Sequence, residues 1–328
     1  MIRLLILTLV LLIVNLFVGN IDIPFLDVVA TLMGDAPSAD VELIVLQSRL
    51  PEALVALFAG GALAISGLVM QTIFSNPLAD PSLLGVNAGA SLGVAIAVLL
   101  LGGSFSTGMV HLSGRLLILT TAFLGAMLVI ALLTLCSHIL QGRLQLLVTG
   151  VMLSFMIAAT ISILNFFAAA QSVQTFVVWG LGSFSGINID FLSIFVSSIV
   201  IGTIGLLLHA KSLNALLLGE DYARNLGIHV QRSRTLLLAL VGFLTAVITA
   251  FCGPISFIGL AVPHALRFFF HTANHRILLP ACFLGGSCVA LFCNLLARSV
   301  SDYSVLPVNT LTPLIGVPVV LFILLRRR

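Results

Sequence analysis

Few residues in this 328-residue chain have side chains suited to chemistry, and their spacing decides which chemistry is open to them. His264, His271 and His275 fall close together, and the last two are four apart. On one helix face that spacing could hold a metal ion, but a place at the end of an apolar run equally suits interface or loop histidines. The cysteines at 136, 252, 282, 288 and 293 form no C-x-x-C pair, and four lie in or beside apolar runs, as packed free thiols do. No G-x-x-x-x-G-K-[ST] loop exists, and the sole lysine, Lys211, lies outside any such setting. H-E-x-x-H and G-x-S-x-G are absent too. These patterns exclude a P-loop nucleotide site and the commonest hydrolase centres. No cofactor, no resident metal and no enzymatic activity of the chain itself are expected.

The polar residues gather in one place, His209 to Arg234. This stretch holds Lys211, Glu220, Asp221, Arg224, Arg232 and Arg234. Ser212 to Leu218 and Asp221 to Leu226 are each long enough for one short helix. Gly219 separates them and Gly227 stops the second. Two short helices exposed between membrane spans suit a docking surface for another protein. An ordinary charged turn is the alternative.

The elements that must position these residues are apolar. The chain is 60% hydrophobic and 8% charged, with a mean hydropathy of +1.25. A soluble domain carries roughly 25% charged residues. No polar segment is long enough for a second domain, so the whole of 1–328 reads as one integral membrane domain, with 209–234 a loop inside it. Apolar runs of this length fit helices rather than barrel strands. Ten spans are expected, at 4–19, 50–74, 83–101, 116–136, 146–168, 190–208, 235–251, 256–270, 277–297 and 308–325. The run after Arg3 is followed by no A-x-A site and reads as a retained first helix. Residues 20–48 form an acidic loop in which Pro24 starts a short amphipathic helix ended by Gly34. Gly60, Ala64 and Gly67 make a small face on span 2, and Gly85, Gly89 and Gly93 make another on span 3. Pro77 and Pro81 bracket one break and Cys252-Gly253-Pro254 makes a second. The glycine-rich segment around Trp179 suits a short, partly embedded helix.

Ten spans place both termini on one side. That side receives 11 of the 14 basic residues: Arg3, Arg143, Lys211, Arg224, Arg232, Arg234, Arg267, Arg276, Arg326, Arg327 and Arg328. The other receives Arg49, Arg115 and Arg298. The positive-inside rule therefore puts both ends in the cytoplasm. The formal charge of +3 sits at span ends and implies no nucleic-acid partner. Spans 2–5 and 7–10 are four-span blocks starting from opposite faces, a weak inverted repeat. Ionisable groups are nearly missing from mid-span. This argues against an ion-coupled secondary transporter, the main rival class, and for a pathway opened by force from outside the chain. A structural or receptor-like membrane protein is a third possibility.

The sequence resembles the permease subunits of bacterial ABC importers for iron-siderophore complexes, haem and vitamin B12. The likeness covers nearly the whole chain. It rests on Arg49-Leu50-Pro51, the run Gly60 to Gly67, Met70-Gln71, the run Asn76 to Pro81 and Leu84-Gly85-Val86. Further pieces are Gly253 to Leu260, Val262-Pro263-His264 with Arg267, Leu306-Pro307-Val308 and Ile315 to Pro318. The resemblance implies an all-α subunit of ten transmembrane helices in the bacterial cytoplasmic membrane. It also implies a second, identical permease subunit, two cytoplasmic ATPase subunits and an external solute-binding protein. An iron-siderophore complex is the expected cargo, with haem or vitamin B12 as alternatives.

The resemblance also assigns residues. Leu213, Leu217, Gly219, Glu220, Ala223, Arg224 and Gly227 match the coupling helices that meet the ATPase. Asn76 and Leu78, with Gln141, Gly142, Arg143 and Leu144, match the regions that narrow the cytoplasmic mouth. Arg49 and Arg298 match positions that receive acidic residues of the binding protein. Many relatives read R-L-P-R where this chain has Glu52, so a base on the partner opposite Glu52 is one expectation. Ser301 to Val305 and Asn309 also depart from the family pattern.

Overall fold

Lipid offers no partner for backbone N–H and C=O groups, so a chain this apolar must satisfy them within helices. The computed structural model describes residues 1–19, 21–107, 110–140, 143–187, 189–299 and 306–326. It is helical almost throughout. The helices are α1 (Ile2–Phe17), α2 (Phe25–Leu32), α3 (Ala39–Glu42), α4 (Leu50–Ile73), α5 (Val86–Ala95), α6 (Gly114–Ile139) and α7 (Arg143–Phe167). There follow α8 (Ala170–Gly180), α9 (Ile189–Leu208), α10 (Ala210–Leu217), α11 (Glu220–Asn225), α12 (Val230–Cys252), α13 (Ile258–Phe270), α14 (His275–Ser299) and α15 (Val308–Arg326).

Among the described residues, six helices are long and apolar enough to cross a membrane: the rod Ala39–Ile73, α6, α7, α9, α12 and α14. Shorter apolar helices are α1, Val86–Leu100 and α13. Each expected span falls on one of these or on α15.

Three local features differ from the sequence reading. The second span does not begin at 50. Ser38 caps α3 by accepting from Val41 N at 3.3 Å, and a π-helical turn, Leu43–Arg49, runs straight into α4. Pro51 therefore lies inside a continuous helical rod, just after the π-helical turn, and its missing N–H removes one helical hydrogen bond there. Leu100 also ends a π-helical turn, Ile96–Leu100. Between α5 and α6 lies an unexpected antiparallel hairpin, β1 (Ser104–Thr107) with β2 (Val110–Ser113), in register Ser104 to Ser113. Three other features fall where expected: α2 follows Pro24, Gly34 is left-handed at φ +91°, and a short helix, α8, carries Trp179, stacked on Phe176.

The core is built around α4, which is buried almost throughout, whereas α7 is mostly exposed. Small residues set the crossings. A Cβ on Gly60 would lie 2.4 Å from Gly286 O of α14, and one on Gly67 would lie 1.8 Å from Gly259 O of α13. Likewise Gly93 lies against Thr121 O, and Gly89 against Gly125 O of α6. These are backbone-to-backbone approaches that only glycine permits.

The two four-helix blocks, α4–α7 and α12–α15, share a plan. In each, the first helix ends in a break and a left-handed residue precedes the second. That residue is Gly85 at φ +81° in one block and Phe257 at φ +68° in the other. Packing is reciprocal: α4 lies on α13, and α12 lies on α5, where Thr249 Oγ1 donates to Asn87 Oδ1 at 2.8 Å.

Candidate functional site

The polar stretch folds as two short helices on the surface. Leu213 and Leu216 of α10 are buried, while Leu217 and Leu218 are exposed. Gly219 takes φ +111° and caps α11. At the far end Gly227 N donates to Arg224 O and Ile228 N to Ala223 O, at 2.9 and 3.0 Å, with Gly227 at φ +79°. That pair of bonds is a Schellman stop. Glu220 accepts from Arg234 of α12, which is itself buried. Exposed Arg224 lies 3.6 Å from both Glu220 and Asp221.

Of the expected coupling residues, Leu213 and Ala223 are fully buried, so they seat the helices and offer no surface to a partner. The outward face is Leu217, Leu218, Tyr222, Leu226 and Arg224. Sequence reasoning missed Leu218, Tyr222 and Leu226. Tyr222 and Leu226 are four apart, and helical periodicity was the signal that would have found them.

Behind this surface lies the break after α4. Ser75 adopts φ +47°, and Asn76 Oδ1 accepts from Leu78 N at 2.9 Å, fixing a tight turn between the prolines. Leu78 and Leu144 are exposed. Arg143 opens α7, and Gln141 and Gly142 lie outside the described residues. Asp80 is buried and accepts from Ser82 N at 2.8 Å and from the Ser82 hydroxyl. Burial pushes its carboxyl above the usual carboxylate range, and the Ser82 bonds oppose that shift. The turn after the break packs on α7, with Gly85 beside Ser154 and Gly150 O.

The histidines do not share a helix face. His264 lies inside α13, His271 ends it at φ +47°, and His275 begins α14 beyond a turn. His275 is 1% exposed and is bonded on both nitrogens: Nδ1 to Asn214 Oδ1 at 2.9 Å and Nε2 to Thr72 Oγ1 at 2.8 Å.

At the end of α4 that carries Arg49, the three expected docking residues are buried: Arg49 at 3% exposure, Glu52 at 5% and Arg298 at 6%. Arg298 binds Glu52 with two nitrogens, Nε to Oε1 at 3.0 Å and Nη2 to Oε2, and adds Asn15 O at 3.3 Å. Arg49 donates to the α1 C-terminal carbonyls of Leu16 and Phe17, at 3.0 and 2.9 Å, and to Ile21 O. All three side chains are thus engaged within the chain. The Glu52 carboxylate accepts both of its bonds from Arg298 of the same chain. Desolvation explains the arrangement, because a buried arginine needs a carboxylate or carbonyls around it. Asn15 completes the cluster by donating to Leu291 O at 3.2 Å and accepting from Asn294 at 3.0 Å.

The body is helical apart from the β1–β2 hairpin, and it carries a two-helix tip. A model of the FecCD transport family matches residues 7–326. The chain belongs to the FecCD transport family. It is 35% identical over 295 residues to the vitamin B12 import system permease protein BtuC of Klebsiella pneumoniae, covering 90% of this chain and 86% of that one. It is 36% identical over 290 residues to the hemin transport system permease protein HmuU of Yersinia pestis, covering 86% and 83%. A solved structure described as an inward-facing metal-chelate type ABC transporter superposes with a TM-score of 0.85 at 30% identity, over 99% of this chain and 98% of that one. This FecCD chain is thus a multi-pass transmembrane permease of the ABC class, a transport subunit.

Proposed function

We propose that this FecCD permease is the membrane subunit of an ATP-driven importer that carries a bulky metal chelate from an external binding protein to the cytoplasm. The observation that carries the reading is the α10–α11 tip, an exposed apolar face with one exposed arginine, Arg224, bounded by Gly219 and Gly227. The sequence has no P-loop of its own, so force must enter through such a surface from a separate ATPase. In this reading Leu217, Leu218, Tyr222, Arg224 and Leu226 meet the ATPase, while Leu213, Glu220 and Ala223 hold the tip to the body. Both termini are cytoplasmic in this reading, which the bias of basic residues supports. A second, identical copy packs along the exposed α7 side, and the solute passes between the two copies. Asn76 and Leu78, with the segment Gln141 to Leu144, form the cytoplasmic gate. Arg49, Glu52 and Arg298 act on binding-protein docking by fixing α1, α4 and α14 at the outer rim.

The family resemblance puts iron-siderophore complexes first. The relatives named for vitamin B12 and hemin favour a second reading, a tetrapyrrole chelate. Uptake separates the two. The transporter, reconstituted with its ATPase and binding protein, is offered a ferric hydroxamate, a ferric catecholate, haemin and cyanocobalamin. One class is expected to accumulate in an ATP-dependent way and to be competed only by its own kind. Accumulation of none of the four, with ATPase and binding protein both assembled, overturns the metal-chelate reading.

A further inference from the structure

We propose that His275 is the joint that carries motion of the α10 tip to the gate break after α4. The proposal rests on the reading of α10–α11 as the ATPase-docking tip. Its geometry is a chain of side chains from three helices, half-buried Asn214 on α10, buried His275 on α14 and buried Thr72 on α4. Asn214 lies on α10, between buried Leu213 and Ala215. Its Oδ1 accepts from His275 N at 2.8 Å and from His275 Nδ1 at 2.9 Å, while its Nδ2 donates to Asn274 Oδ1 at 2.8 Å. Asn274 Oδ1 also accepts from Arg276 N at 3.0 Å, capping α14. An α10 side chain thus takes part in the N-terminal cap of α14, so α10 and α14 move as one piece at this end.

The network also assigns the proton positions. Asn214 Oδ1 can only accept, so His275 Nδ1 carries the hydrogen and Nε2 presents a lone pair. That lone pair faces the Thr72 hydroxyl at 2.8 Å. Thr72 is the penultimate residue of α4, one helical turn before Asn76 of the gate turn.

Thr72 gives the joint its two states. Its hydroxyl has one proton and two acceptors within reach, His275 Nε2 and Leu68 O, the second at 2.9 Å on its own helix. When α10 and α14 press toward α4, the proton goes to His275 and the end of α4 is held. When they withdraw, it returns to Leu68 O, and no buried donor is left without an acceptor. A contact that opens without orphaning a buried donor suits a moving joint better than a static clamp. Gln71, the neighbouring residue, is tied instead to α13 through Arg267 and Gly259 O. The end of α4 is therefore held from two sides, by α13 through Gln71 and by α14 and α10 through Thr72, and the Thr72 side leads back to the tip.

The test uses the assembled transporter with a spin label at position 78. Thr72→Val removes the hydroxyl at nearly constant volume, Thr72→Ser keeps it, and His275→Leu removes the acceptor. Thr245→Val is the control, since that buried hydroxyl bonds only Val241 O of its own helix. Thr72→Val is expected to bind the ATPase normally and to hydrolyse ATP. Its uptake per ATP should fall about tenfold, with loss of the nucleotide-dependent change at position 78. Thr72→Ser and Thr245→Val should match the parent protein. If His275→Leu fails to insert, Thr72→Val against Thr72→Ser still decides. Unchanged uptake and label response in Thr72→Val overturn the joint. Leu218→Glu separates this from the docking reading: if it leaves ATPase binding intact, the tip assignment fails, whatever Thr72 does.

Discussion

Glu52 shows how far a single residue can be read. Its place in the sequence, three after Arg49, marks a departure from a family pattern, but its partner lies 246 residues away at Arg298. Only the packing of α4 on α14 brings the two together, so the departure was legible and its meaning was not. The pair is buried on both sides. Glu52→Gln should leave the Arg298 charge without its counterion and cost about 3–5 kcal/mol of stability, the usual range for breaking a buried pair. Thermal unfolding in detergent measures this, and because the pair is shielded, added salt should change the loss little. Asp80 gives the opposite case. Its pKa is raised by burial, so the folded protein holds that proton more tightly than the unfolded chain does. This contribution favours the folded state below the ordinary carboxylate range and is lost as pH rises through the folded pKa. The stability difference between parent and Asp80→Asn should therefore depend on pH, with the parent gaining relative to the variant on acidification.

At the scale of elements, the small-residue faces were the most legible feature. Gly60, Gly67, Gly89 and Gly93 repeat at helical spacing, and each meets a backbone of another helix. Gly67→Ala should force α4 from α13, since its Cβ would fall 1.8 Å from a carbonyl oxygen that cannot swing aside. A cost of about 1–3 kcal/mol or more follows. Gly180→Ala, with nothing within 4 Å, should change stability by less than about 0.5 kcal/mol. The tip helices were legible too, because Gly219 and Gly227 punctuate them. Proline at Gly219 demands a φ near −65°, far from the +111° found there. Gly219→Pro should leave the protein in the membrane while it loses ATPase binding or coupled uptake. The hairpin after α5 and the π-helical entry to α4 escaped the sequence reading. Strands of four residues give too little alternation, and a π turn differs from an α turn by one hydrogen-bond register, which composition does not encode.

For the whole molecule, hydropathy sufficed to find each long apolar helix of the described residues, and the charge bias is what argues for an orientation. Contacts between distant helices, such as α4 with α14 and α12 with α6, follow from packing that no local pattern announces. In a variant lacking the five native cysteines, a cysteine at Ser38 should react with an impermeant reagent in intact cells, while one at Asn225 should not. The reverse pattern would invert the orientation and place the α10–α11 tip outside, away from ATP. The central claim, that a separate ATPase drives this permease through that tip, is tested most directly by uptake into proteoliposomes holding the permease and its ATPase, with loaded binding protein on one side. Uptake should require ATP, persist when a protonophore collapses the proton gradient, and vanish when the ATPase is omitted. Uptake that continues without the ATPase and stops with the protonophore would contradict the account.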